Sequence, residues 1–303
     1  MKIFRVLSKT YDRVALGIET PKDILFKLVF FIKNPFSTKK RWKLYEEYLE
    51  NKIVRGRVVG GVLRYRDIQF PDIGDKKKYV KGFIPTYYDI LFFYDKRNDV
   101  YDSASVDRYE RSFGTEGTYC YTDNGCDMTI KKGDIVIDAG AWVGTFSAYA
   151  AKKGAQVYAF EPSVENRIIL NKTAELNGNI TVVPFALYDT AATLNFSEES
   201  ITSRVEDVNK TIGESSHGVR AVTLDEFVVS NNIQKVNFIK ADIEGSERKM
   251  LAGAVNVMKK FAPKLSICTY HLPDDRQVLS KIIMDANPKY KVVYRKMKLY
   301  AFV

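Results

Sequence analysis

The second half of the sequence alternates short apolar runs with segments of helical pattern, and this alternation restricts the fold more than any other feature. Residues 134–139 form a nearly continuous apolar run, as expected for a strand that is buried on both faces. A glycine turn follows, then a helical segment over about residues 142–153 that ends at Gly154, and then a second apolar run over residues 156–160. Such alternation predicts an α/β fold with right-handed crossovers and a doubly wound, mostly parallel sheet.

Further elements continue this pattern to the end of the chain. Ser163 is expected to cap a helix over residues 163–176. The other predicted elements are strands at residues 181–183, 235–240 and 264–269 and helices at residues 223–230, 246–260 and 275–286. Two apolar runs at hairpin spacing, 291–295 and 299–303, end the chain, so one of them must run antiparallel. The six-stranded dinucleotide-binding fold does not end in this way. We therefore assign residues 129–303 to this α/β domain and residues 1–128 to an N-terminal accessory or substrate-recognition region.

A glycine loop follows the first strand of this domain and reads Asp138-Ala-Gly140-Ala-Trp-Val-Gly144-Thr. Glycine is expected where the backbone turns with positive φ or where a ligand touches it, and Gly140 and Gly144 supply two such points. A dinucleotide-binding loop needs G-x-G-x-x-G, but Trp142 occupies the position of the second glycine. A tryptophan there would keep a pyrophosphate away from the helix N-terminus. The loop therefore favours S-adenosylmethionine, which carries no phosphate.

Glu161 lies at the carboxyl end of the second strand, 21 residues after Gly140. An acidic residue at this position binds the ribose hydroxyls of a cofactor that contains adenosine. The alternative is an acid that stabilises the helix N-terminus through the macrodipole.

Several motifs, in this order, resemble the FkbM family of methyltransferases. They are Gly140-Ala-x-x-Gly144, Phe160-Glu-Pro162, Asn171 and Asn177, Thr223-Leu-Asp-Glu-Phe227, Phe238-Ile-Lys-Ala-Asp-Ile-Glu-Gly-Ser-Glu247 and Tyr270-His-x-Pro-x-Asp275. The resemblance covers about residues 130–303 and implies the seven-stranded, Rossmann-like fold of class I methyltransferases. It also implies S-adenosylmethionine as cofactor and O-methylation of a hydroxyl on a sugar, a glycan or a similar acceptor. On this basis the expected cofactor-binding residues are Asp138, Gly140, Ala141, Gly144, Glu161, Pro162 and Ala186. Residues 1–128 match nothing that identifies the acceptor.

Polar residues follow the two strands that overlook the expected substrate crevice, and we predict a catalytic role for Asp242 and His271. His271 titrates near neutrality in an unperturbed state and is the predicted general base for a sugar hydroxyl, the alternative being a structural histidine. Glu244, Asp274 and Asp275 are the expected substrate contacts. Asp242, Glu244 and His271 could also bind a divalent metal, but their spacing is not diagnostic, and the sequence predicts no metal.

Two other enzyme classes and an inactive adapter are the alternatives. An NAD(P)-linked reductase or epimerase shares the fold type, but Trp142 and the terminal hairpin argue against it. An RNA methyltransferase would use the net charge of +10, yet base methylation typically requires an Asn/Asp-Pro-Pro-aromatic turn where this chain has Asp242-Ile-Glu-Gly245. Binding to nucleic acid is therefore not expected, and an adapter would bind no S-adenosylmethionine.

The N-terminal region contains an apolar segment, residues 24–32, that is followed at once by a basic cluster, residues 33–43. One interpretation is a peripheral contact of residues 24–43 with the inner face of a membrane. The other is a core helix followed by a solvated loop. Without a long apolar run or a disulfide framework among three cysteines, the sequence favours a cytoplasmic protein with reduced thiols. Nothing in it indicates an oligomeric state.

Overall fold

The computed structural model describes residues 58–59, 62–65, 68–71, 118–123, 125–197, 204–206 and 216–303. Residue contacts divide the chain into two compact units, Met1–Thr115 and Glu116–Val303. The assignment of residues 1–128 and 129–303 to separate regions stays a prediction. Residues 24–43, for which a membrane contact was considered, lie outside the described residues.

The described part of the first unit is a three-stranded antiparallel sheet in the order β1-β2-β3. Its strands are β1 (Val58–Val59), β2 (Val62–Tyr65) and β3 (Ile68–Pro71). Ile68 and Phe70 alternate along β3 and are fully buried, as the two-residue period of a strand requires for one covered face.

The second unit contains a seven-stranded sheet. Its strands in chain order are β6 (Ile135–Ala139), β7 (Gln156–Phe160), β8 (Ile180–Val183), β13 (Phe238–Ala241), β14 (Lys264–Cys268), β15 (Lys291–Arg295) and β16 (Lys298–Phe302). The order across the sheet is β15-β16-β14-β13-β6-β7-β8, and only β16 runs antiparallel to its neighbours. The doubly wound, mostly parallel sheet and its terminal hairpin are therefore confirmed. The order reverses between β6 and β13, which is where ligands bind in open α/β sheets.

Six helices connect and cover these strands in the described part of this unit. They are α1 (Thr145–Lys152), α2 (Val164–Asn177), α3 (Leu224–Ser230), α4 (Glu247–Ala252), α5 (Val255–Phe261) and α6 (Asp275–Ala286). The predicted N-cap of α2 is confirmed, since the Ser163 hydroxyl accepts a hydrogen bond from the Asn166 amide at 3.2 Å. The single helix predicted over 246–260 is wrong. The chain breaks at Gly253, where a β-carbon would lie 2.1 Å from the Tyr188 carbonyl oxygen.

The second unit also contains two small β structures, and the larger of them was not predicted from the sequence. A four-stranded sheet in the order β11-β10-β12-β9 is inserted between β8 and α3. Its strands are β9 (Ala186–Leu187), β10 (Ala192–Ser197), β11 (Arg204–Glu206) and β12 (Ser216–Val222). Before the large sheet, β4 (Thr122–Asp123) and β5 (Cys126–Asp127) form a short hairpin.

The segment that precedes β6 packs on the large sheet. Tyr121 stacks on Tyr300 with ring centroids 5.1 Å apart, and Tyr119 meets Phe146 edge-on at 5.4 Å. The three cysteines are buried thiols, and none of them forms a disulfide. Among the residues that the structure describes, no helix combines the length and the apolar character that a membrane span requires.

Candidate functional site

The glycine loop folds back on the end of β7 at the switch point of the sheet. The amides of Gly140 and Ala141 both donate to the Phe160 carbonyl oxygen, at 3.0 and 2.9 Å. Gly140 has a φ of +75°, and a β-carbon there would lie 2.0 Å from the Asp242 carbonyl oxygen. Only glycine fits this position, because both the backbone angle and the close approach exclude a side chain. The loop and Asp242 are therefore in direct backbone contact.

The second glycine sets the start of helix α1. Gly144 has a φ of +87°, and a β-carbon would lie 2.7 Å from the Leu170 Cδ1 atom. The helix consequently begins at Thr145 and not at Trp142, as the sequence pattern had indicated. Trp142 itself has a φ of +53°, which is uncommon for a residue other than glycine.

A buried ion pair lies beneath the loop. The Nζ atom of Lys240 is 3.1 Å from an Asp138 carboxylate oxygen and donates to the Gly140 carbonyl oxygen at 2.7 Å. The other oxygen of Asp138 accepts from the Ser147 hydroxyl at 2.6 Å. Burial lowers the pKa of Lys240, but Asp138 and Asp242 raise it by more, so Lys240 stays charged. Asp138 is fully buried, and it positions the loop through Lys240, which binds the Gly140 carbonyl oxygen.

The sequence analysis did not identify Lys240 as part of the site. A signal was present, however, because the lysine interrupts the apolar strand β13, whose residues are otherwise Phe, Ile and Ala. A lysine in a strand that is buried on both faces requires a partner, and Asp138 on the neighbouring strand supplies it.

Glu161 lies beside the loop and is 4 % exposed. One carboxylate oxygen accepts from the Trp142 amide at 2.8 Å, and the other accepts from the Ser163 amide at 2.9 Å. Burial raises the pKa of Glu161, and these two hydrogen bonds lower it in part. The oxygen bound by Ser163 also accepts from the Asn166 side-chain amide at 3.4 Å. Each carboxylate oxygen has two acceptor positions, so the oxygen bound by Trp142 can hold the loop and still accept from one ribose hydroxyl.

Asp242 follows β13 at the edge of the same crevice. Its Oδ2 atom accepts from the Tyr119 hydroxyl at 2.7 Å, and its Oδ1 atom accepts from the Tyr270 hydroxyl at 3.0 Å. Burial raises the pKa of Asp242, but Lys240, Lys298 and the bond from Tyr119 together bring it below its usual value. Asp242 is therefore ionised at neutral pH. Neither tyrosine was expected in the site from the sequence.

His271 is surrounded by carboxylates and its side chain is 4 % exposed. Its Nε2 atom lies 3.3 Å from Glu244 and 3.7 Å from Asp242, and its Nδ1 atom lies 3.0 Å from Glu247. Burial lowers the pKa of His271, but Glu244 and Glu247 outweigh this effect and raise the pKa from 6.5 to about 10. The expectation that this imidazole titrates near neutrality is thus corrected. Its role as a general base stays a prediction.

The turn after β13 directs Glu244 towards His271. Glu247 fixes this turn, because its two carboxylate oxygens accept from the amides of Ile243 and Gly245 at 2.9 and 3.1 Å. Glu244 has a φ of +55°, a backbone conformation that costs about 1–3 kcal/mol for a residue other than glycine.

The remaining predicted site residues have other surroundings. Asp275 is buried and accepts from Arg248 and from the Leu272 amide, while Asp274 is exposed and paired with the same arginine. Their contacts fix the turn before α6, and their predicted role in substrate binding stays a prediction.

Of the other two residues expected to bind the cofactor, Pro162 follows β7 and Ala186 lies within the insertion. The Pro162 carbonyl oxygen accepts from Arg167. Ala186 lies in β9 and packs with Tyr188, Leu194, Val219 and Ala221 in the core of the four-stranded sheet.

The sheet order, the antiparallel β16 and a glycine loop at the switch point together define a class I methyltransferase. A family model described as the methyltransferase FkbM domain matches residues 138–298, which is more than half of the chain. The chain belongs to this family, and the resemblance inferred from the motifs is confirmed.

The individual proteins that this chain resembles share a quarter of their aligned residues with it or fewer. The chain is 25% identical over 157 residues to the hexuronic acid methyltransferase AglP of Haloferax volcanii, a match that covers 52% of this chain and 64% of AglP. A solved FkbM methyltransferase from Methylobacillus flagellatus matches with a TM-score of 0.48 and 18% identity, over 75% of this chain and 60% of the other. Fibrillarin of Aeropyrum pernix, solved with S-adenosyl-L-methionine, matches with a TM-score of 0.36 and 13% identity, over 57% and 67% of the two chains. This chain thus spans less than two thirds of AglP and of the M. flagellatus enzyme.

Proposed function

We propose that this methyltransferase uses S-adenosylmethionine to methylate an oxygen of a sugar or glycan, and that the acceptor oxygen is a hydroxyl. The observation that carries the proposal is the direct contact between the cofactor loop, at Gly140, and the carboxylate residue Asp242. The contact is made by the Asp242 backbone, and it supports the proposal because the carboxylate of the same residue is the candidate acceptor-binding group. The name of AglP, a hexuronic acid methyltransferase, supports a sugar as acceptor.

The proposed reaction requires little covalent chemistry from the protein. The bond between the methyl carbon and the sulfonium sulfur breaks as the bond to the acceptor oxygen forms, and S-adenosylhomocysteine leaves. Alignment of donor and acceptor contributes most of the rate. The hydroxyl proton passes to the ionised carboxylate of Asp242, which the hydroxyls of Tyr119 and Tyr270 hold in place. His271, whose Nε2 atom lies 3.7 Å from Asp242, positions this carboxylate.

The product identifies the reaction. The purified chain is incubated with isotopically labelled S-adenosylmethionine and, in separate reactions, a glycan that contains hexuronic acid, a neutral glycan and a short RNA. We expect label in a glycan, in a form that resists mild alkali, because a methyl ether on a hydroxyl is stable where a methyl ester on a carboxylate is not. Label that alkali releases would instead indicate a methyl ester, with a carboxylate of the glycan as the acceptor. Label in RNA alone, or none in any acceptor, would contradict the proposal.

Glu161 provides a separate test of the cofactor. We expect Glu161→Gln to weaken the binding of S-adenosylmethionine by about 1–3 kcal/mol, since a charged acceptor of hydrogen bonds is lost. Titration calorimetry measures this difference. Glu175→Gln, on the exposed face of α2, is the matched control and should bind like the parent. Equal affinities in all three proteins would contradict the ribose contact and leave Glu161 as a residue that only holds the loop.

A further inference from the structure

Asp242, Glu244 and His271 each offer one ligand atom, and these three atoms lie within 4.8 Å of one another. The Nε2 atom of His271 is 3.7 Å from Asp242 and 3.3 Å from Glu244. Around an octahedral ion with bonds of about 2.1 Å, neighbouring ligands lie about 3.0 Å apart and opposite ligands about 4.2 Å apart. The two separations from Nε2 fall between these limits, and the separation of Asp242 and Glu244 is at most 4.8 Å. We propose that these three residues bind a divalent cation.

The imidazole supplies evidence that is independent of the acidic residues. The His271 side chain is almost fully buried, and neither ring nitrogen has a well-aligned hydrogen bond. The Nδ1 atom faces Glu247 at 3.0 Å, which leaves Nε2 towards the two carboxylates. A histidine ligand typically donates its second ring N–H to a carboxylate, which fixes the tautomer and the orientation of the ring. Glu247 occupies that position.

The backbone also favours a binding role for Glu244. Its φ of +55° is sparsely populated by residues other than glycine, and such strain persists where the surroundings impose it. Here Glu247 imposes it through bonds to the amides of Ile243 and Gly245. The same carboxylate thus orients two of the three proposed ligands, His271 and Glu244.

The cluster carries an excess of negative charge, which favours the binding of a cation. Three carboxylates, Asp242, Glu244 and Glu247, face one imidazole. Lys240 also attracts Asp242, but its nearest carboxylate is Asp138 at 3.1 Å. Lys298 compensates a part of the remaining charge, as its effect on the pKa of Asp242 indicates. A histidine that binds a metal ion gives up its Nε2 proton and is neutral, and a divalent ion would then balance the rest.

The ligand set indicates the kind of ion. Carboxylate oxygens suit Mg²⁺ and Mn²⁺, and an imidazole nitrogen adds affinity for a transition metal, while a thiolate is absent from the three ligands. Mn²⁺ is therefore the appropriate probe. Three protein ligands leave coordination positions for two neighbouring hydroxyl oxygens of a sugar, a role that rests on the proposed function.

The test measures Mn²⁺ binding to the full chain by electron paramagnetic resonance, without methyl donor or acceptor, so that it is independent of the transfer reaction. We expect one bound Mn²⁺ per chain, with nitrogen coupling from an imidazole in the pulsed spectrum. Glu244→Gln, at a partly exposed turn, should weaken binding at least tenfold. His271→Gln should remove the nitrogen coupling.

Asp285→Asn is the control, because Asp285 is an exposed carboxylate of α6 that pairs with Lys281. It should bind Mn²⁺ like the parent. An absence of bound Mn²⁺ in the parent chain, or equal binding by the parent and Glu244→Gln, would overturn the cation site even if methyl transfer is observed.

Discussion

Replacement of Gly140 by alanine is expected to abolish methyl transfer and to destabilise the 116–303 unit by about 2–5 kcal/mol. The backbone angle costs an alanine roughly 1–2 kcal/mol. The overlap of its β-carbon with the Asp242 carbonyl oxygen adds about 1–3 kcal/mol, because two backbone segments must move apart. The same movement separates the loop from Asp242. For a unit of this size the midpoint of thermal unfolding should fall by roughly 5–15 °C.

Gly178 provides the matched control for this variant. It also has a positive φ, +67°, but a β-carbon there would meet no atom within 4 Å. Gly178→Ala should therefore cost only the backbone term, about 1–3 kcal/mol because its ψ of 174° lies in a region largely restricted to glycine, and leave methyl transfer unchanged. If both variants lose the same stability and both remain active, neither the stability of the unit nor methyl transfer depends on the contact between the loop and Asp242.

The second large effect is expected for Lys240→Met. Removal of one partner from a buried ion pair leaves an uncompensated charge, here that of Asp138, at a cost of about 3–5 kcal/mol. The variant also removes the donor to the Gly140 carbonyl oxygen. Urea denaturation of the variant measures the loss in the free energy of unfolding.

Two further variants separate the burial of this pair from its charge. Lys249 pairs with Asp189 at 2.8 Å on the surface, so Lys249→Met should cost only about 0.2–1 kcal/mol. The double variant Lys240→Met with Asp138→Leu removes both charges and should recover part of the lost stability. If Lys240→Met were as mild as Lys249→Met, Asp138 would not depend on its buried partner.

The large sheet was predictable because its strands and helices carry strong local patterns. The largely apolar β6, the N-cap at Ser163 and the spacing of the terminal hairpin all follow from short-range rules. The four-stranded insertion was missed, although β10, Ala192–Ser197, alternates apolar with polar residues as a strand with one covered face does. The break at Gly253 depends on the Tyr188 carbonyl oxygen, which lies 65 residues earlier in the chain. A local pattern cannot show such a contact.

In the candidate site, too, some residues were predictable from local patterns and others depend on long-range contacts. Gly140, Glu161 and Asp242 were predicted from their positions at the ends of strands, and the structure brings Gly140 into contact with both strand ends. Tyr119 was missed because it precedes the domain pattern and reaches Asp242 across 123 residues of sequence. The pKa of His271 was misjudged because it depends on how closely the carboxylates approach, and this distance cannot be read from spacing.

The segment before β6 has a consequence for protein engineering. Tyr119 donates to Asp242, Tyr121 stacks on Tyr300, and the Tyr300 hydroxyl donates to the Thr118 carbonyl oxygen. Each of these contacts involves at least one residue outside 138–298, the range that the family model matches. A chimera that exchanged only the residues matched by the family model would therefore move Tyr270 together with Asp242, but the donor at position 119 would come from the other parent. The unit that can be transplanted between relatives begins before Thr118 and continues to the C-terminal strand.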